Sequence, residues 1–124
     1  MIPLLIFLAS ADPKGSMIDL PAEVSRSTNY TISQVVARLD PADIRTSGLI
    51  CRRTGYFGLT PARVRIEGLD EGGRPVTVKM AFLPPLSPRA DQRCGHFGVR
   101  LEDKPAVVRR VRICAGRSGP CPAP

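Results

Sequence analysis

Tryptophan is absent from this chain, histidine occurs once, as His96, and four Phe with two Tyr make up the rest of the ring-bearing residues. So small an aromatic stock is poor material for a platform on which bases or sugar rings could stack. His96 is the sole conventional general base. No Gly-x-Ser-x-Gly elbow, cysteine-protease signature, Cys-x-x-Cys pair or phosphate-binding glycine loop ahead of a helix occurs. Carboxylates able to pair as in a glycosidase would have to come from Asp40, Asp43, Glu67, Asp70, Glu71, Asp91, Glu102 or Asp103. Most of these sit in turns, where acids serve local hydrogen bonds. Only one residue separates Cys94 from His96, whereas zinc sites place two to four residues between paired ligands and do so twice. The expectation is therefore no enzyme, no cofactor and no metal. Two further things are scarce. No block of five or six like charges occurs, and no apolar run approaches the roughly 20 residues needed to cross a bilayer.

What the chain does have is 124 residues, enough for one domain with a real core, and a net charge of +7. Fifteen of its 18 cations are Arg, which favours contact with anions when the charges gather on one face. Thirteen Pro and eleven Gly cut the sequence into short pieces, as in a small all-β domain.

The apolar run Leu4-Leu5-Ile6-Phe7-Leu8-Ala9-Ser10-Ala11 ends in a small-x-small pattern followed by Asp12-Pro13. Residues 1–11 read as the back half of a secretory signal peptide cut after Ala11, with the usual cationic start missing. The competing reading makes Ile2–Leu8 the buried first strand of a cytosolic domain. Export, to the periplasm or beyond, gives the cysteines a meaning. Cys51, Cys94, Cys114 and Cys121 form an even set, and in an oxidising compartment two disulfides are the default. The Gly- and Pro-bearing stretch Cys114–Cys121 can close on itself, which leaves Cys51 and Cys94 as a long-range staple. The other two connectivities remain open at this level.

Residues 12–118 read as a single β domain and 119–124 as a Pro-rich tail. Ile18–Val24 suits a short edge strand interrupted by Pro21. Between residues 32 and 39 the stripe Ile32, Val35, Val36, Leu39 fits one helical face, while Val35, Ala37, Leu39 fits a strand. The Val-Val pair favours the strand, with one short helix as the alternative. Leu49–Cys51 supplies another short strand. Val64, Ile66 and Leu69 run into the turn Asp70-Glu71-Gly72-Gly73, and Val76, Val78, Met80 and Phe82 then alternate with Thr77, Lys79 and Ala81. This predicts a hairpin with the larger apolar residues inward. Pro84–Pro88 predicts an extended loop. A second hairpin is expected from Phe97–Leu101, the turn Glu102–Pro105 and Val107–Cys114, with a bulge near Arg109-Arg110 to repair the alternation. Seven or so short strands with turns about every ten residues predict an all-β, antiparallel sandwich, broadly immunoglobulin-like in architecture and without that fold's hallmark Trp.

On alternation, Arg63, Arg65 and Lys79 share the wet face of the first hairpin, and Arg100, Arg110 and Arg112 that of the second. Were the hairpins neighbours in one sheet, a basic stripe for anions would result. Glu67 and Glu102 on the same faces predict charge pairing instead. Asn29-Tyr30-Thr31 matches a glycosylation sequon, read here as chance. The leading functional expectation is an exported, non-enzymatic binding or structural domain of the cell envelope, acting through contacts with an envelope or extracellular protein. The alternative is a polyanion-binding module for lipopolysaccharide, acidic polysaccharide or nucleic acid, with an anionic lipid headgroup as a further candidate partner. An exposed edge strand would be the place for another chain to pair.

Overall fold

The computed structural model describes residues 18–27, 29–53, 62–83, 86, 93–116 and 119–123. The expected signal segment lies outside the described residues, as does the expected Pro84–Pro88 loop except for Leu86, which is buried in the core. Among the described residues eight strands form: β1 (Ile18–Asp19), β2 (Ala22–Val24), β3 (Tyr30–Leu39), β4 (Ile44–Arg52), β5 (Ala62–Leu69), β6 (Pro75–Leu83), β7 (Cys94–Leu101) and β8 (Arg110–Ala115). They make two four-stranded sheets, β1-β3-β4-β7 (sheet A) and β2-β8-β5-β6 (sheet B). The fold is the expected small β-sandwich. Its core is the interdigitated inner faces: Ile44 and Ile50 from sheet A meet Val64, Ile66, Val111 and Ile113 from sheet B, all fully buried. Burying each such side chain contributes about 1.5–3 kcal/mol.

The two sides of the sandwich are finished differently. On one side a single segment serves both sheets. β1 pairs antiparallel with β3, the chain crosses at Leu20-Pro21, and β2 pairs parallel with β8. Pro21 sits at the crossing, where its missing N–H costs no ladder bond, while its carbonyl accepts from Val111 N at 2.9 Å. Both of these edges are very short, which leaves little for a foreign strand to pair with. On the other side two long edges, β6 and β7, run side by side.

The helical alternative for residues 32–39 does not form. The stripe that suggested it comes from a β-bulge. Between the pairs Ser33↔Leu49 and Val36↔Ser47, two residues of β3 oppose the single Gly48 of β4. Gln34 at the bulge has φ 55°. The extra residue moves the inward set from Tyr30 and Ile32 to Val35, Ala37 and Leu39, so a period of two with one slip imitates a period of 3.6. Gly48 is required there because a Cβ would come within 2.7 Å of the Phe97 ring.

Two other expectations are corrected. The turn at Asp70–Gly73 forms, with Gly73 N donating to Asp70 O and Asp70 Oδ1 accepting from Arg74 N. The face of β6, however, is reversed. Thr77, Ala81 and Leu83 stand opposite the inward Gly68, Val64 and Ala62, while Val78, Met80 and Phe82 stand opposite Glu67, Arg65 and Arg63 on the outer face. The register is dictated by β5, whose inward residues are fully buried. The second hairpin does not form either. β7 belongs to sheet A and β8 to sheet B, joined by an arch with a 3-10 turn at Pro105–Val107. Because β8 starts only at Arg110, the slip in alternation needs no bulge at Arg109-Arg110. Val108 plugs the core from the arch, and Arg109 N donates to Leu69 O. β8 thus returns beside β5, in the order β8-β5-β6, as in a Greek key.

Candidate functional site

The open side of the sandwich is the most prominent feature that could receive a partner. β6 and β7 approach without sharing a sheet. At one end Leu83 lies over Gly95, so closely that a Cβ on Gly95 would meet Leu83 Cδ2 at 2.6 Å. At the other end Lys79 Nζ faces Glu102 Oε1 at 4.0 Å. Between these contacts lies a trough of about 640 Å³, lined by β6 from Lys79 to Leu83 and by β7 from His96 to Arg100. The outer face of β6 flanks it with Val78 and Phe82, which are 41% and 68% exposed.

Lys79 occupies the position opposite the buried Ile66, on the inner side of its strand, and reaches across the seam. It therefore does not share the wet face of Arg63 and Arg65, as alternation had suggested. An inward-pointing charge on an edge strand is a recognised guard against indiscriminate edge pairing.

The six expected anion-binding residues do not gather. Arg63, Arg65, Arg110 and Arg112 lie on the outer face of sheet B, Arg100 on the outer face of sheet A, and Lys79 in the seam. Most are engaged with acids. Arg112 Nε donates to Glu23 Oε1 at 2.6 Å, Arg110 Nε lies 3.5 Å from Glu23 Oε2, and Arg65 Nε donates to Glu67 Oε2 at 2.8 Å. Arg63 is exposed and makes no ion pair among the described residues.

The C-terminal tail folds back over this charged face. Cys114 on β8 is bonded to Cys121, and Cys121 N donates to Glu67 Oε2 at 3.0 Å. Ser25 Oγ holds the tail further on by donating to the carbonyl of Pro122. Glu67, which alternation places on a wet face, is left 1% exposed beneath it. Nothing in its neighbourhood in sequence signals this burial, because the cover comes from residues more than fifty positions away.

The second disulfide joins Cys51 of β4 to Cys94 of β7, which stand directly opposite in register with Cα atoms 4.0 Å apart. Cys94 is thereby taken out of any pairing with His96 as a metal ligand. His96 sits on the outer face of sheet A opposite Leu49, and no cluster of three potential metal ligands occurs among the described residues. The chain matches no family model, no curated protein and no solved structure. The surfaces themselves must carry the functional reading.

One acid has a protonation equilibrium set by its site. Asp40 opens the β3–β4 loop, and its Oδ1 accepts from Ala42 N at 2.8 Å and Asp43 N at 3.0 Å. These two backbone donors hold its pKa below the ordinary aspartate value against the opposing effect of desolvation, with smaller help from the Asp43 side chain and then the Arg45 guanidinium. A depressed folded-state pKa contributes stability above the unfolded value, about pH 4, and loses it as pH falls below that. Asp40→Asn keeps the oxygen acceptor and removes the titration. The urea midpoint of the wild type should exceed that of Asp40→Asn at pH 7, and the gap should shrink at pH 3. A gap independent of pH would contradict this account.

Proposed function

We propose that this chain is an exported, non-enzymatic binding domain of the cell envelope that works through protein–protein contacts, taking an extended segment of its partner along β6. The observation that carries this reading is the outer side of β6. It is a nine-residue edge strand paired only with β5 among the described residues, and it presents Val78, Met80 and Phe82 where a solvated strand would carry polar groups. Strand addition uses main-chain hydrogen bonds for affinity and alternate side chains for selection, and β6 with its trough offers both. Lys79 then serves selectivity, favouring a partner segment that brings an acid to the seam over a second copy of this chain, which would bring another lysine.

Export is supported by the pattern at Leu4–Ala11 and by the two disulfides, which persist in oxidising compartments. No helix among the described residues is long and apolar enough to cross a membrane.

The test is crosslinking in the native envelope with the wild type and with Val78→Lys/Phe82→Lys. Both positions are exposed enough that the double variant should keep its unfolding free energy within about 1 kcal/mol of the wild type. The wild type should enrich one partner at near-native abundance, and the variant should lose it. No enriched partner, or one retained by the variant, overturns the reading.

A further inference from the structure

The outer face of sheet A, reaching the seam at Arg100, carries an arrangement that strand pairing normally avoids. Arg38 of β3, Arg45 of β4 and Arg100 of β7 stand in one register row, Arg38↔Arg45↔Arg100, on three adjacent hydrogen-bonded strands. Adjacent strands are about 4.8 Å apart, so these are directly opposed like charges, which destabilise a sheet. Three acids temper the row without using up its donors. Asp19 lies 3.3 Å from Arg38. Arg45 Nε lies 3.5 Å from Asp40 and 3.7 Å from Asp43, and Arg100 Nε lies 3.8 Å from Asp43. The contacts of Arg45 and Arg100 are charge neighbours beyond good hydrogen-bond length.

The layering is equally telling. The side chains of Asp40 and Asp43 are only 15% and 7% exposed, whereas those of Arg45 and Arg100 are 52% and 60% exposed. The acids lie beneath and the guanidinium forks on top. Beside the two arginines the sheet dips into a trough of about 310 Å³, lined by Arg45, Ser47, Gly98 and Arg100 together with Thr46 and Val99. Ser47 and Gly98 are register partners, so the floor is nearly bare backbone with one hydroxyl.

We propose that this row binds an acidic polysaccharide. Arg45 and Arg100 would grip a carboxylate or sulfate in the trough, and Arg38 the next acid along. Guanidinium forks match carboxylate and sulfate in bidentate fashion. A polymer with an acid on successive sugars suits cations repeated at strand spacing, and a shallow floor of small residues admits a flat chain. No aromatic residue lines the trough, so neither bases nor sugar rings would stack there, and the assignment rests on the spacing of the acids and the flat floor. This site shares Gly98, Val99 and Arg100 of β7 with the seam trough but makes no use of the β6 edge, so its test does not depend on strand addition there.

The experiment is salt elution of the purified chain from a heparin resin, with affinity for soluble heparin measured at low salt. The wild type should bind, and log affinity should fall linearly with log salt. Arg45→Ser/Arg100→Ser should weaken binding about tenfold or more, and each single variant should account for part of that loss. Arg100→Ser leaves Arg45 beside the nearly buried Asp43 and should keep the unfolding midpoint, whereas the double variant leaves Asp43 without a cation, so its binding is read well below its own unfolding midpoint. Arg63→Ser/Arg74→Ser removes the same charge from exposed positions elsewhere and should have a far smaller effect. Equal losses from the two double variants would mean diffuse charge attraction and overturn the site. So would unchanged binding in Arg45→Ser/Arg100→Ser. Tighter binding to a single-stranded oligonucleotide than to heparin, lost in the same variant, would overturn the assignment to a polysaccharide.

Discussion

Replacing Arg65 with methionine should cost this domain about 3 kcal/mol, one of the largest effects of any single substitution outside the core. Methionine keeps most of the apolar stem, so the loss isolates the guanidinium. Glu67 Oε2 accepts from Arg65 Nε and from Cys121 N, and the carboxylate is almost wholly shut off from water by the tail. Removing the cation leaves a buried negative charge facing the backbone N–H of Cys121, and breaking a buried pair from one side typically costs 3–5 kcal/mol. The lower end applies here because the Arg65 side chain is 16% exposed and water can partly take its place. A loss of that size in a domain this small lowers the melting temperature by roughly 10 °C. The control is the double variant Arg65→Met/Glu67→Gln. A neutral amide needs no counter-charge and still accepts from Cys121 N, so the double variant should be more stable than Arg65→Met alone. If Arg65→Met unfolds within about 0.5 kcal/mol of the wild type, the pair is solvated in solution and the tail does not seal it.

The elements that were legible in sequence are those whose cause is local. The turn at Asp70–Gly73 follows from its own residues, and β5 from its fully apolar inward set. The short disulfide Cys114–Cys121 follows from a Gly/Pro-bearing loop, with Cys51–Cys94 left over. Misreadings arose where a pattern has a period but no direction. β6 alternates between Thr77, Ala81, Leu83 and Val78, Met80, Phe82, and the bulkier set was assigned to the core. The structure buries the smaller set, because the inward residues of β5 opposite them and the Leu83–Gly95 approach across the seam decide the face. β7 and β8 carry the same local signs as a hairpin. Whether a segment turns back in its own sheet or arches to the other depends on distant partners, here β4 and β5. The arginine row was missed for a related reason. Its signal is the four-residue loop Asp40–Asp43 between Leu39 and Ile44, which sets Arg38 opposite Arg45. That pairing becomes visible only once residues 30–39 are recognised as a strand with a bulge.

The two disulfides should differ in what they contribute, and the direction of the difference separates two mechanisms. Chain entropy alone ranks Cys51–Cys94 higher. It spans 43 positions against 7 for Cys114–Cys121. The loop-closure relation then gives roughly 4 kcal/mol for the long bridge and roughly 2.5 kcal/mol for the short one. The native state adds an opposing consideration. β4 and β7 are already paired along eight register positions, so losing the long bridge should leave their geometry in place. Losing the short bridge cuts the covalent tie of the tail that covers Glu67. Two double variants, Cys51→Ala/Cys94→Ala and Cys114→Ala/Cys121→Ala, compared by urea unfolding under oxidising conditions, decide which effect dominates. We expect the first to lose more, because a docked tail is still held by Ser25 and Glu67 after its covalent tie is cut. A larger loss in the second would mean that the cover over the buried carboxylate outweighs the entropy of a loop six times longer. The tail would then be an integral layer over sheet B.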